Sequence, residues 1–198
     1  MCQELNNKLS APWSFRFYLS RFTNITIKDL KTPSKYPKFV LMETPILNAH
    51  NKLEHEPSHS AEHLLNATMV KMFGCPRSRN AHVEKKKSKC DYLLDAEPTP
   101  EQVVEIEAAV NEAIAQNMDV KIEFMTREQA ASIVDLSKLP SDASETLRIV
   151  RIGDYDACAC IGAHVQNTSE IGTFKIISHS YENGVWRLRW KVVPNTVI

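Results

Sequence analysis

The sequence lacks several features that would define its class at once. No apolar run approaches the roughly 20 residues that a membrane-spanning helix needs. The N-terminus carries no continuous apolar stretch of the kind that marks a secretory signal. The formal net charge is zero, so the chain as a whole is not a general binder of polyanions. We therefore expect no membrane segment.

Cysteine is sparse, and its spacing forms no disulfide framework. The chain has 198 residues, enough for one ordinary domain with an appendage, and 43% of them are hydrophobic, enough for a sizeable core. An odd number of irregularly spaced cysteines favours reduced thiols and a cytoplasmic protein. The five are Cys2, Cys75, Cys90, Cys158 and Cys160.

Residues 1–44 differ in composition from the rest of the chain. Residues 1–41 contain seven Lys or Arg and two Asp or Glu, a balance of +5, so the remainder sums to −5. Residues 1–44 are also rich in aromatic side chains but show no regular hydrophobic period. We predict a basic, aromatic appendage with little regular structure over 1–44 and a domain over 45–198. The appendage either adds affinity for RNA or is translated upstream sequence, with Met42 as the native start.

Hydrophobic periodicity predicts two substantial helices and one short helix. The first runs from about residue 57 to residue 73, with proline in its first turn and glycine just past its end. The second covers 99–117, and Thr99 with Gln102 forms a capping box at its start. A short helix is expected over 127–134.

The remaining pattern predicts mainly antiparallel strands, and therefore an α+β fold. Two strands are expected within 80–95, one over 120–125, and one buried strand that runs into a loop over 146–161. Residues 173–193 predict a hairpin that turns at Asn183–Gly184, because an Asn-Gly pair suits the tight turns of hairpins.

Three histidines recur at a spacing of four: His55, His59 and His63. Pro57 pushes Glu56 out of helical geometry, so we expect His55 to lie outside the helix. His59 and His63 then lie one helical turn apart, the spacing that allows two imidazoles to bind one metal ion. The alternative is a pair of surface histidines on a solvated helix face.

A second pair of metal-ligand residues lies about a hundred residues later. Cys160 and His164 are separated by three residues and fall where the predicted strand ends. Cys158 can face the same side as Cys160, because residues two apart in a strand point the same way. Taken alone, each cysteine is also compatible with a buried small apolar residue. Together, three histidines and a cysteine form a plausible zinc site between a helix and a sheet.

The segment "HSAEH" over 59–63 also matches the H-x-x-E-H pattern of some metalloproteases, in which the glutamate is a general base. In that alternative Glu62 would be catalytic. However, Glu62 lies about 100° around the helix from His63. The sequence also offers no clear acidic third ligand.

These motifs resemble a known family in chain order. "HSAEHLLNA" (59–67), "AHVEKKKSKCDY" (81–92) and "RIGDYDACACIGAHVQNTSEIGTFKII" (151–177) resemble the editing domain, or second additional domain, of alanyl- and threonyl-tRNA synthetases. They also resemble the free-standing AlaX trans-editing proteins. The resemblance covers roughly 45–193. It implies a deacylase that hydrolyses the ester of mischarged tRNA-Ala or tRNA-Thr, releasing serine or another small amino acid.

The resemblance also implies a ligand set. His59, His63, Cys160 and His164 match the metal-ligand pattern, and AlaX-like members bind zinc there, whereas threonyl-type domains are usually described as needing no metal. Zinc would either activate water or hold the amino group of the substrate, and the sequence does not choose between these roles.

Two positions depart from the family pattern. Ala163 stands where the family usually has threonine, and Cys158 stands where threonyl-type domains commonly have aspartate. Neither departure removes a metal ligand, but both motivate an alternative: a catalytically silent zinc- or RNA-binding module of the same fold. No dedicated side-chain base is evident, since Asp154, Asp156 and His179 are expected to be structural or solvated.

The last strand offers a candidate surface for RNA. Its apolar residues alternate with Arg187, Arg189 and Lys191, so one face carries three cations. Such a face can contact the phosphates of the tRNA acceptor end. The alternative is an ordinary solvated sheet face. A second candidate is the lysine-rich turn: Lys85, Lys86, Lys87 and Lys89. The sequence does not indicate the oligomeric state.

Overall fold

A computed structural model describes residues 54–137, 139 and 143–195. The predicted appendage over 1–44 lies outside the described residues. The described part contains three helices, seven strands and one 3-10 turn. In chain order they are α1 (Glu56–Phe73), β1 (Asn80–His82), β2 (Ser88–Leu93), α2 (Pro100–Ala115), β3 (Val120–Thr126), α3 (Arg127–Ala131), β4 (Thr146–Ile152), β5 (Asp156–Ala159), the 3-10 turn (Thr168–Glu170), β6 (Thr173–Glu182) and β7 (Val185–Val193).

The strands form two antiparallel sheets. One has four strands in the order β1-β2-β7-β6, and the other has three in the order β3-β4-β5. The main core lies between the four-stranded sheet and helices α1 and α2, and a smaller cluster lies between α3 and the three-stranded sheet. The predicted α+β fold, with mainly antiparallel strands and two substantial helices, is confirmed.

Local sequence features set the ends of α1. His55 is the N-cap, and its ring nitrogen Nδ1 accepts a hydrogen bond from the Ser58 backbone N–H at 3.3 Å. Gly74 ends the helix in the left-handed conformation, with φ of 63°, and its N–H donates to the Val70 carbonyl at 2.9 Å. His55 therefore lies outside the helix, as the sequence predicts. The predicted reason was wrong: Glu56 is the first helical residue, because a proline in the first turn of a helix is tolerated.

Helix α1 is buried on two opposite sides. One side packs into the main core, where Leu64, Leu65 and Trp190 are fully buried. The other side carries His59 and His63 toward the second sheet, and these side chains are only 7% and 2% exposed. The alternative of surface histidines on a solvated face is therefore wrong. The second sheet covers the helix face that periodicity alone would leave in solvent.

Other local predictions agree with the structure. Thr99 and Gln102 form the capping box of α2. The β6–β7 hairpin turns at Asn183 and Gly184, which both have positive φ, 51° and 75°. One expectation needs correction: residues 146–161 form two paired strands, not one, because the chain reverses at Gly153, where φ is 47°.

Two further findings concern the apolar length of the helices and the state of the cysteine thiols. None of the described helices is both long enough and apolar enough to span a bilayer. Each cysteine within the described residues has a free thiol; these are Cys75, Cys90, Cys158 and Cys160. Burial raises the pKa of the Cys90 thiol to about 12, so this thiol is a core residue rather than a reactive one.

Candidate metal centre

Four side chains converge between α1 and the segment that follows β5: His59, His63, Cys160 and His164. One potential ligand atom from each lies within 4.8 Å of the others. The helix supplies the first two, one turn apart, and the chain beyond β5 supplies the other two. The structure therefore brings together the four residues that the sequence singled out, and this group can hold a metal ion.

Hydrogen bonds orient two of the imidazole rings through the nitrogen that faces away from the cluster. His63 Nδ1 lies 3.1 Å from Asp156 Oδ2, and His164 Nδ1 lies 3.1 Å from Ser60 Oγ. In metal sites the outer nitrogen of a ligating histidine is typically held by such a partner, which fixes the ring and its tautomer. The Nε2 atoms are left for the cluster.

His59 is also held through its outer ring nitrogen, which lies between a backbone carbonyl and a carboxylate. Its Nδ1 lies 2.9 Å from the Ala163 carbonyl oxygen and 2.7 Å from Glu54 Oε2, while Nε2 lies 3.5 Å from Cys160 Sγ. Gly162 permits this arrangement, because a Cβ at that position would collide with both Glu54 and His59. The loop therefore needs glycine for close approach rather than for a special φ.

Arg148 fixes the loop that carries Cys160. Its guanidinium donates hydrogen bonds to the carbonyl oxygens of Cys160 and Gly162, at 2.7 and 2.9 Å. The Cys160 backbone N–H in turn donates to the Arg148 carbonyl at 3.0 Å. Strand β4 thus positions a thiol that lies just beyond the end of β5.

Asp156 links the site to a buried ion pair. Arg77 donates to both of its carboxylate oxygens, at 2.6 and 3.2 Å. Burial raises the pKa of Asp156, but His63 and Arg77 outweigh burial and hold that pKa at about 2. The sequence predicted a structural or solvated Asp156. In the structure its carboxylate is buried, ionised and hydrogen-bonded to the candidate ligand His63.

The electrostatics of the cluster hold Cys160 and His164 in their metal-binding protonation states but favour protonation of the other two histidines. Burial raises the pKa of Cys160, but the neighbouring histidines outweigh it and lower the pKa to about 3, which gives a thiolate. Burial lowers the pKa of His164 to about 4, which keeps that ring neutral. Thiolate and neutral imidazole are the metal-binding forms of these side chains. Burial lowers the pKa of His59 and His63, but Cys160 at both rings and Asp156 at His63 outweigh burial and raise the pKa, so a metal ion must displace these protons.

One further observation indicates that these four donors fit a metal ion. His164 Nε2 is buried and has no hydrogen-bond partner among the described residues. A buried ring nitrogen without a partner is costly, and it normally has an explanation such as an ion. A metal ion at the convergence point would satisfy this atom together with the other three ligands.

A cavity of about 220 Å³ adjoins the cluster. His59, His63 and Cys160 form part of its wall, and so does Cys158. Cys158 thus lines the cavity but is not one of the four converging ligands. Glu62 also lines this cavity, although its position on the helix suggested a direction away from the site.

Ala163 contributes to the site through its backbone. Its carbonyl oxygen accepts the hydrogen bond from His59, and its side chain is exposed. It is also absent from the cavity wall. Ala163 therefore supports His59 through its carbonyl oxygen, a contact that does not depend on its side chain.

The basic residues of the last strand lie on the outer face of the four-stranded sheet. Arg187 is paired with Asp91 through two hydrogen bonds of 2.8 and 2.7 Å. Arg189 is half-buried and Lys191 is exposed. The face is therefore basic but partly neutralised. Beyond the paired arginine its cations include Arg189 and Lys191, with Lys89 of β2 and Lys175 of β6 directly opposite them.

The fold and the site together define an α+β domain that carries a three-histidine, one-cysteine ligand group between a helix and a sheet. The comparisons agree with this class. Residues 147–189 match the family described as the threonyl and alanyl tRNA synthetase second additional domain. The chain resembles the editing domain of these synthetases.

Alanine–tRNA ligases are among the most similar proteins. The enzyme of Petrotoga mobilis is 33% identical over 135 residues, which make up 67% of this chain and 15% of the ligase. The enzyme of Methanococcus maripaludis is 33% identical over 158 residues, or 76% of this chain and 17% of the ligase. The chain therefore spans a small part of the length of these relatives.

The Asp156 contact gives a first prediction. Asp156→Asn should weaken zinc binding by about 10- to 100-fold, the usual cost of losing a partner that orients a ligating histidine. A competition titration against a chromophoric chelator measures this change. Asp154→Asn, at an exposed position two residues earlier, is the matched control and should bind zinc normally. Equal affinities of the two variants would contradict the assigned role of Asp156.

Proposed function

We propose that the protein is a trans-editing aminoacyl-tRNA deacylase. It hydrolyses the ester that joins serine, or another small amino acid, to mischarged tRNA-Ala or tRNA-Thr. It uses zinc held by His59, His63, Cys160 and His164. The proposed compartment is the cytoplasm, a proposal that the free thiols support.

One observation carries the proposal. The four ligand atoms converge within 4.8 Å beside a small cavity, in a domain that resembles the editing domain of tRNA synthetases. Nitrogen and sulfur donors in this combination suit zinc best among common metals. The cavity of about 220 Å³ is smaller than the roughly 300–1,000 Å³ of sites for drug-sized ligands, which supports a small aminoacyl group.

The chemistry required of this chain is limited, because an aminoacyl ester is already activated. When bound, zinc supplies Lewis acidity that either lowers the pKa of a water to about 7 or polarises a substrate group. The protein's own residues fix the ligands: Asp156 orients His63, Ser60 orients His164, and the Ala163 carbonyl orients His59. Preorganisation of this kind leaves little to rearrange during the reaction.

The proposed partner is the acceptor end of tRNA, bound in part by Arg187, Arg189 and Lys191. The buried Trp186, Leu188 and Trp190 anchor the strand beneath this face. Because Asp91 neutralises Arg187, the contacts of this strand to phosphate rest mainly on Arg189 and Lys191. A domain of net negative charge with one basic face suits transient capture rather than tight, general binding of RNA.

Substitution on this face tests the RNA contact. The double change Arg189→Ala and Lys191→Ala should weaken tRNA binding and reduce the dependence of log Kd on log salt by up to about two units, roughly one for each lost phosphate contact. Fluorescence anisotropy over a salt series measures the slope. Lys121→Ala, an exposed lysine on the other sheet, is the control. An unchanged slope in the double variant would remove this face from the interface.

Two alternatives differ in what they require. A silent module of the same fold would bind zinc or RNA and hydrolyse nothing. A metalloprotease would use Glu62 as its base, but the converging ligands within the described residues are three histidines and a thiol, without the acidic ligand expected of that class.

A deacylation assay tests the proposed function. Zinc-loaded protein should release serine from seryl-tRNA-Ala or seryl-tRNA-Thr faster than it releases the cognate amino acid. Discrimination by size alone gives roughly 10- to 200-fold, so a larger ratio would indicate recognition of the serine hydroxyl. A casein digest run in parallel tests the protease alternative. If no mischarged tRNA is hydrolysed above background, the silent module replaces the deacylase.

A further inference from the structure

Glu62 lines the cavity of the metal site without being one of its ligands. It lies in α1, directly before His63, and is half-buried. The converging ligands do not include it. Its carboxylate is therefore placed to contact whatever occupies the cavity.

A hydrogen-bond chain holds this carboxylate in place. Asn66, one helical turn later, donates from Nδ2 to Glu62 Oε1 at 2.5 Å. Asn66 is itself buried and fixed, because its Oδ1 accepts a hydrogen bond from the Ser78 backbone N–H at 2.8 Å. Within the described residues, no other hydrogen bond to the Glu62 carboxylate is present, so Oε2 is left for a ligand.

The cavity wall carries two carboxylates that are not among the converging ligands. Arg77 is the basic residue of the wall, and its guanidinium is engaged by the carboxylate of Asp156 on both oxygens. Asp135 adds a second carboxylate at the exposed rim. A positively charged group that enters the cavity would find two carboxylates, Glu62 and Asp135, beside an arginine whose charge Asp156 already balances.

We propose that Glu62 binds the protonated α-amino group of the aminoacyl ester. This inference rests on the proposed function and names a contact within it. An α-amino group titrates near neutral pH, at about 7.7–8.0 in peptides, so its charged form is available to Glu62 at and below pH 7. It lies on the carbon next to the ester carbonyl. Anchoring it at Glu62 therefore fixes the carbonyl relative to the ligand cluster, through a charge-assisted hydrogen bond.

The test compares two esters and two variants. Glu62→Gln keeps the shape of the side chain and removes its charge, and Glu56→Gln makes the same change at an exposed position of the same helix. The substrates are seryl-tRNA and the same tRNA carrying 3-hydroxypropanoate, which is serine without its amino group. The intrinsic reactivity of each ester is the same for wild type and both variants. Dividing the ratio of kcat/KM for the two esters in wild type by the same ratio in Glu62→Gln therefore isolates the coupling between Glu62 and the amino group.

Glu62→Gln should lower kcat/KM for the seryl ester by about 10- to 100-fold, the usual worth of a hydrogen bond to a charged group. It should leave kcat/KM for the deaminated ester and the zinc content unchanged, and Glu56→Gln should change neither ester. An equal loss on both esters, or no loss on either, overturns the inference.

A binding measurement separates this inference from the proposed function. The wild-type protein should bind 3′-serylamino-3′-deoxyadenosine, a non-hydrolysable analogue, more tightly than Glu62→Gln does in calorimetry. Hydrolysis of neither ester by wild type would defeat the proposed function, and this comparison would still decide the role of Glu62. Equal affinities would overturn the inference even if the enzyme is active.

Discussion

His59→Ala and Cys160→Ala should each lose the zinc that the wild-type protein holds at about one ion per chain. Each change removes one of four converging donors, and Cys160→Ala also removes the negative charge of the thiolate. Loss of a ligand should weaken affinity by more than the roughly 10- to 100-fold that an outer partner is worth. Elemental analysis after dialysis against a mild chelator measures the content.

His55→Ala is the matched control for this pair. His55 has the same side chain and lies just before α1, but it caps the helix instead of facing the cluster. The variant should keep its zinc and lose only the modest stability of a cap, about 0.5–2 kcal/mol. Full zinc content in His59→Ala would rule out the four-ligand site, whereas zinc loss in His55→Ala would show that the cap belongs to it.

Removal of zinc should lower the melting temperature of the wild-type protein by a large margin. A ligand that binds only the folded state at about 1,000 times its Kd stabilises it by about 4.1 kcal/mol. For a domain of this size each kcal/mol is worth about 2–4 °C, so the shift should be about 8–16 °C. The physical reason is that zinc would join α1 to the segment after β5 and satisfy the buried His164 Nε2.

Differential scanning calorimetry with and without a strong chelator measures this shift. Cys160→Ala should melt at the same temperature in both conditions, because it has no zinc to lose. A chelator effect of equal size in wild type and Cys160→Ala would place the stabilising metal elsewhere. An unchanged wild-type melting temperature would show that the cluster holds no metal in solution.

The parts of the fold that follow from short stretches of sequence were predictable. Gly74 ends α1 and Asn183–Gly184 turns the last hairpin because each suits a left-handed backbone. The capping box of Thr99 and Gln102 is equally local. The split of 146–161 into two strands was missed, because the stretch after the turn at Gly153 yields a strand of only four residues, Asp156–Ala159, and reads as a loop.

The ligands of the site were predictable, but the residues that support them were not. Spacing within each pair and resemblance to a family identify the donors. By contrast, His63 and Asp156 are 93 residues apart, and His59 and Ala163 are 104 apart. Such contacts depend on how the second sheet packs on α1. The same packing brings Glu62 into the wall of the cavity. The position of Glu62 on the helix does not predict this, because it does not indicate which element packs over that side of the helix.

The central claim joins the metal site to hydrolysis of mischarged tRNA, and a zinc titration of deacylation tests it most directly. Metal-free protein receives increasing zinc, and release of serine from seryl-tRNA is followed under single-turnover conditions. Activity should rise linearly with added zinc and reach a plateau at about one equivalent per chain. His59→Ala should stay at background throughout. Full activity in metal-free protein, or none at saturating zinc, would contradict the claim.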